Sequence, residues 1–173
     1  MAEEQNIPEF GGTETAAGEA GTQPQAQGQF QLQKLYMRDA SFEVPHAPQI
    51  YQEQGGQLEL KLNLGQKAEN LGENLIEVIL TITLTANLGD KTAYLCEVQQ
   101  AGIFQIEGFE ESQRNAVVNI LCPNTLFPYA RAEVTHMVAM GGFPSVVLQP
   151  ISFEQIYAQR LQQQQQQNQP DTA

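Results

Sequence analysis

The sequence predicts an α+β domain, a four-stranded antiparallel sheet with two helices on one face. Three observations predict it. Four strand-like runs lie between residues 30 and 104, two of them, 57–64 and 75–88, alternating strictly with period two. After Phe104 the apolar spacing widens to three and four residues. All the strand-like runs precede the helical ones, an order that favours separate layers over interleaved βαβ units.

The first run, "FQLQKLYMRDASFEV" (30–44), sets Phe30, Leu32, Tyr36, Ala40, Phe42 and Val44 on one parity, with Leu35, Met37, Asp39, Ser41 and Glu43 on the other. In "QLELKLNL" (57–64), Leu58, Leu60, Leu62 and Leu64 share a side. "LIEVILTITLTANL" (75–88) turns Ile76, Val78, Leu80, Ile82 and Leu84 inward and Glu77, Thr81, Thr83 and Thr85 outward. The fourth run, "AYLCEVQQAGIF" (93–104), is mixed on both sides. Tyr94, Cys96, Val98 and Gln100 alternate with Leu95, Glu97, Gln99 and Ala101.

"LGDK" (88–91) joins the last two runs as a hairpin, and its loop length decides which parities meet. A two-residue Gly89-Asp90 turn would oppose Ile82 and Leu84 to Glu97 and Leu95. A three-residue loop would oppose them to Val98 and Cys96, more apolar company, and is therefore expected. Leu95 and Glu97 then share the outer face with the threonines. That face should be solvated, yet it is expected to show Leu35, Met37 and Leu95 among its polar groups.

The first helical stretch is "EESQRNAVVNIL" (110–121), with Glu110 and Glu111 where the helix dipole favours acids. Pro123 and Asn124 are expected to interrupt it. "TLFPYARAEVTHMVAMGG" (125–142) follows, with Thr125 as cap, Pro128 in the first turn, and Phe127, Ala130, Val134, Met137 and Val138 as its apolar stripe. Gly141 or Gly142 should end it. "FPSVVLQPI" (143–151) is extended. Ser152 with Gln155 forms a capping box for a last helix carrying Phe153, Ile156, Tyr157 and Leu161. Residues 1–28 are too poor in large apolar groups to order, and residues 162–173 form a glutamine-rich tail, so the folded domain is expected over 29–161.

Composition narrows the function. Twenty acidic residues against eight basic ones give a formal charge of −12. Such a chain is a poor partner for nucleic acid or an anionic membrane and a good one for a basic protein surface. Cys96 and Cys122 make no disulfide framework, the first residues lack an apolar signal region, and no run approaches 18 apolar residues. A cytoplasmic, reduced protein without membrane insertion is expected. Phosphate loops, nucleophile elbows and paired metal ligands are missing. His46 and His136 have no evident partner, the cysteines read as small core residues, and Glu110-Glu111 serves a helix start. No enzyme, cofactor or metal is expected.

Four stretches carry a family resemblance: "FQLQKLYMRDASFEVPHAP" (30–48), "TANLGDKTAYLCEVQQAGIF" (85–104), "CPNTLFPYARAEVTHMV" (122–138) and "LQPISFEQIYAQRL" (148–161). In this order, spanning the folded region, they resemble the bacterial protein-export chaperones of the SecB family. The resemblance implies a homotetramer, a dimer of dimers with long helices sandwiched between eight-stranded sheets. It implies an ATP-independent chaperone that holds unfolded precursor polypeptides and delivers them to the translocation ATPase SecA. Asp39, Glu43, Leu95 and Glu97 would form the SecA-binding face, and Cys96, Val98 and Gln100 would serve tetramer packing. Phe104, Tyr129, Phe143, Val146, Phe153 and Tyr157 are the candidates for the client groove, with core packing the competing role for each and Phe143 the preferred member. The residues alone leave two rivals open, a small-ligand domain using a pocket between sheet and helices and a passive assembly protein.

Overall fold

A computed structural model describes residues 28–53 and 55–167; the tails expected to be disordered lie, but for Gly28 and residues 162–167, outside the described residues. The strands are β1 (Gln29–Glu43), β2 (Leu58–Asn70), β3 (Leu75–Leu88) and β4 (Lys91–Glu107). They form one antiparallel sheet in the order β1-β4-β3-β2. Helices α1 (Glu111–Ala116), α2 (Cys122–Met140) and α3 (Phe153–Gln167) follow. The four strands and their order before the helices agree with the sequence-based fold class.

The β3–β4 hairpin reaches the expected pairing by an unexpected route. Leu88 opposes Lys91, so the turn is the two-residue Gly89-Asp90, with Gly89 at φ +59°. Asn87 then opposes Thr92 but Ala86 opposes Tyr94, leaving Ala93 as a bulge. Beyond it Ile82 faces Val98 and Leu84 faces Cys96. The expectation of a three-residue loop is thus corrected, while the pairing it was meant to deliver stands. A bulge breaks one rung of the ladder; setting Ile82 and Leu84 opposite Glu97 and Leu95 would instead put Cys96 and Val98 on the outer face and cost the core two residues.

β1 departs further from simple alternation. Its register against β4 skips Gln33 and Arg38, so residues 34–37 run in the opposite phase to their flanks. Leu35 and Met37 oppose Gly102 and Gln100 on the helix side, and Tyr36 opposes Ala101 on the outer face. The expected places of Leu35 and Met37 (outer) and Tyr36 (inner) are therefore reversed. Leu35 gains burial against the core and the Tyr36 hydroxyl gains a carboxylate partner, Glu77.

The helical segment is continuous through Pro123. Glu110 caps α1, its side chain and that of Gln113 bonding reciprocally to the backbone. Between α1 and α2 the chain widens into a π-turn, Val117–Leu121, in which the Cys122 N–H reaches back to the Val117 carbonyl. The next donor in that pattern would belong to Pro123, which has none. The side-chain amide of Gln66, from β2, donates to the waiting Val118 carbonyl instead (2.8 Å). The expected break at Pro123 thus becomes a widened turn. Thr125 is not a cap, since its hydroxyl donates to the Leu121 carbonyl inside the helix.

α2 lies over β3 and β4. Val78, Leu80, Ile82 and Leu84 with Tyr94, Cys96, Val98 and Phe104 meet Leu126, Phe127, Ala130, Val134 and Val138 in one core. β2 lies beyond its reach, so Leu60 and Leu62 stay exposed although they face the helix side. At α3 the Ser152 hydroxyl accepts the Gln155 N–H, half of the expected box, and Phe153 packs edge-on against Phe127. α3 continues to Gln167, past the boundary drawn at 161.

Candidate functional site

The outer face of the sheet gathers the four residues expected to dock a partner. Asp39, Ser41 and Glu43 of β1 stand opposite Gln99, Glu97 and Leu95 of β4, which stand opposite Thr81, Thr83 and Thr85 of β3. Three consecutive rungs thus carry Asp39, Glu43, Leu95 and Glu97 as one patch. Asp39 and Glu43 are exposed; Leu95 and Glu97 are half-buried. Thr83 and Gln99 donate to the Glu97 carboxylate at 3.1 and 3.2 Å and orient it. None of the three acids forms an ion pair among the described residues. Such a patch offers three unneutralised carboxylates around one aliphatic group, suited to a basic partner with an apolar contact.

Beside it lies a cluster that alternation could not reveal. Arg38, at the bulge, donates to both oxygens of Glu77 at 2.9 and 2.8 Å, and the Tyr36 hydroxyl bonds the same carboxylate. Glu77 is only 6% exposed. The Tyr36 hydroxyl is held above its ordinary pKa by its hydrogen bond to Glu77, with burial adding to it. The available signal was Glu77 itself, a lone acid entering an otherwise apolar and threonine-rich strand.

On the opposite face Cys96, Val98 and Gln100 are covered by the protomer's own α2. Gln100 donates its side-chain amide to the Tyr36 carbonyl at 2.8 Å. Burial pushes the Cys96 thiol up to about 11 and the Cys122 thiol up to about 12, so both are neutral and unreactive at physiological pH.

The six groove candidates do not assemble into one site. Phe104 is fully buried and stacks on Phe30, and Phe153 is equally a core residue. Tyr129 is half exposed on α2, whereas Tyr157 lines a separate cleft of about 310 Å³ with Asn115, Asn119, Arg160 and Leu161. Phe143 joins a cluster that the sequence had not suggested. Its ring centroid lies 4.8 Å from Tyr94, 5.2 Å from Tyr51 and 6.4 Å from Phe42. Tyr51 donates to the Gly141 carbonyl at 2.8 Å, which ties the β1–β2 connection to the end of α2. A side chain at Gly141 would collide with Phe42, its Cβ lying 2.2 Å from the ring. Next to the cluster a cleft of about 300 Å³ opens between Phe42, Glu133, His136, Met137 and Met140. Val146 packs nearby, its carbonyl held by the Thr135 hydroxyl at 2.8 Å, and the Tyr94 hydroxyl is buried without a partner. The one signal for this assembly was the Gly141-Gly142 pair, read from sequence only as a helix stop.

Among the described residues no group of metal-ligating side chains converges, and no helix is long and apolar enough to cross a membrane. His46 bonds the Thr92 carbonyl at 3.0 Å, a structural contact.

Comparison with known proteins agrees with this architecture. The profile of the family described as preprotein translocase subunit SecB matches residues 23–164. The chain is similar to the protein-export protein SecB of Alkalilimnicola ehrlichii, 45% identical over 163 residues that cover 94% of this chain and 83% of that one. It is similar to the protein of the same name from Methylococcus capsulatus, 47% identical over 148 residues covering 86% and 95% of the two chains. Among solved structures, a Mycobacterium tuberculosis SecB-like chaperone in complex with an antitoxin peptide shares the fold, with a TM-score of 0.59 at 16% identity over 70% of this chain and 90% of that one. The chain belongs to the SecB family.

Proposed function

We propose that this chain divides its work between the two sides of one sheet, holding an unfolded client on the helix side and docking the export machinery through the opposite face. As a SecB protein it is a chaperone that keeps unfolded precursor proteins competent for export and delivers them to SecA. The division is carried by one observation: Asp39, Glu43, Leu95 and Glu97 are contiguous on a face that no helix covers and are free of ion pairs among the described residues. A basic SecA surface is the complementary partner, and the attraction should weaken as salt screens it.

The client is held by adaptable apolar contact. Phe143, Tyr51, Phe42 and the methionine-lined cleft beside them offer aromatic and flexible groups that impose no sequence requirement. Tyr129 on α2 and Leu60 and Leu62 on β2 are further exposed apolar groups that a long client could meet elsewhere on the surface. Burying ~1000 Å² of client apolar surface is worth on the order of 25 kcal/mol gross, most of it offset by ordering a flexible chain. Four copies in a tetramer convert a modest affinity into avidity, without ATP. Cys96, Val98 and Gln100 support that assembly from beneath α2 by fixing the helix on the sheet. The setting is the cytoplasm, where two neutral, buried thiols stay reduced.

The Glu97→Lys variant tests the division. Its SecA affinity, measured by titration calorimetry, should fall at least tenfold, while suppression of aggregation of a reduced, slow-folding precursor is unchanged. Equal loss of both activities, or loss of neither, would remove Glu97 from the docking face.

A further inference from the structure

The acidic patch has a cation as its immediate chain neighbour. Arg38 precedes Asp39 and projects from a bulge on the same side of the sheet, at 42% side-chain exposure. Left free, its guanidinium would be within reach of Asp39 and would partly cancel the field that recognises a basic partner. Instead both oxygens of Glu77 hold it, at 2.9 and 2.8 Å. Glu77 is fixed in turn by the Tyr36 hydroxyl. The bulge is pinned from behind as well, because Gln100 donates through the helix-side face to the Tyr36 carbonyl at 2.8 Å. Two residues that strict alternation would send to opposite faces, Tyr36 and Asp39, thereby share one, the first closing the clasp and the second entering the patch.

We propose that Glu77 is a positioning residue of the docking face: by sequestering Arg38 in the bulge, it keeps the guanidinium away from Asp39 and leaves the Asp39, Glu43 and Glu97 carboxylates unneutralised for a basic partner. The inference rests on the assignment of those acids as docking residues. Glu77 itself, nearly buried, touches no partner. The charge arithmetic is local. The ion pair is neutral as a unit, and losing the acid alone converts it into a free cation at the edge of the patch.

The test is a charge-neutralisation series measured as SecA affinity at low and high salt, with the charge reversal Glu97→Lys as reference and thermal melting and light scattering as fold controls. Glu77→Gln should bind SecA about three- to tenfold more weakly at low salt, with the difference shrinking at high salt. The double variant Glu77→Gln/Arg38→Gln, which removes the released cation, should recover to within about twofold of the parent. Should Glu77→Gln bind like the parent while Glu97→Lys fails to bind, or should the double variant stay as weak as the single one while folded, the sequestration idea is overturned. If Glu97→Lys itself binds normally, the docking assignment fails rather than the clasp. Where Glu77→Gln does not fold, Arg38→Gln alone serves. Binding equal to or tighter than the parent supports the proposal, and weaker binding by a folded protein overturns it.

Discussion

The two faces of the sheet solve different problems with the same strands. The helix side is apolar except at Gln100 and Gly102, Ile76 to Ala86 on β3 against Tyr94 to Ile106 on β4, with each alternate residue buried. The outer side carries threonines, glutamine and unpaired acids, and is closed at one end by a charge clasp. The difference teaches that a central strand such as β4 can look ambiguous in sequence because both of its faces are specified: one by packing, the other by what must remain available. Under the proposed division, substitutions in the packed core act on stability and those on the outer face on SecA docking, and the two effects should separate.

The comparison breaks most visibly in the core. Phe104→Ala empties a fully buried position stacked on Phe30 and should cost about 3–5 kcal/mol in urea denaturation. If the remaining folded protein loses SecA affinity as well, the two faces are not independent. The thiols sharpen the picture of a dry interior. At pH 8 about one Cys96 in a thousand is ionised at a pKa of about 11, against about one in ten at the ordinary value of 9. Alkylation should accordingly be at least about 100-fold slower in the native protein than in urea. Because both thiols titrate higher when folded, the stability tied to their neutral forms is intact below about pH 9. It is lost as pH rises through about 11 and 12, visible as a falling melting temperature. Rapid native labelling would show that α2 does not cover Cys96. The smallest effect belongs to the outer face. Thr83→Val removes one hydrogen bond to Glu97 and should shift stability by less than about 1 kcal/mol, with SecA affinity reduced two- to threefold. A large stability loss there would mean that the outer face is structural after all.

How far the site could be read in advance follows from the same contrast. The outward places of Asp39, Glu43, Leu95 and Glu97 were legible because parity is set by apolar neighbours on the other face: Cys96 and Val98 are buried and Phe42 packs against the core, so residues of the other parity turn outward. The outward place of Glu77 was legible as well, but its clasp with Tyr36 and Arg38 was not, because the bulge in β1 changes phase without changing composition. The aromatic cluster escaped for another reason. Phe42, Tyr51, Tyr94 and Phe143 come from four separate segments, and no local period links them.

By itself the sequence determined the strands of period two, the helices after Phe104, the inward parity of β3 and the acidic character of the outer face. These depend on the local repeat of hydrophobic burial, which a single chain carries along its length. Only the tertiary structure decided where that repeat slips. Bulges at Gln33, Arg38 and Ala93, and a π-turn completed by Gln66, appear because cross-strand burial and the demand for satisfied backbone carbonyls outweigh one ladder rung or one helical turn. Those forces act between residues distant in the chain, where periodicity is silent.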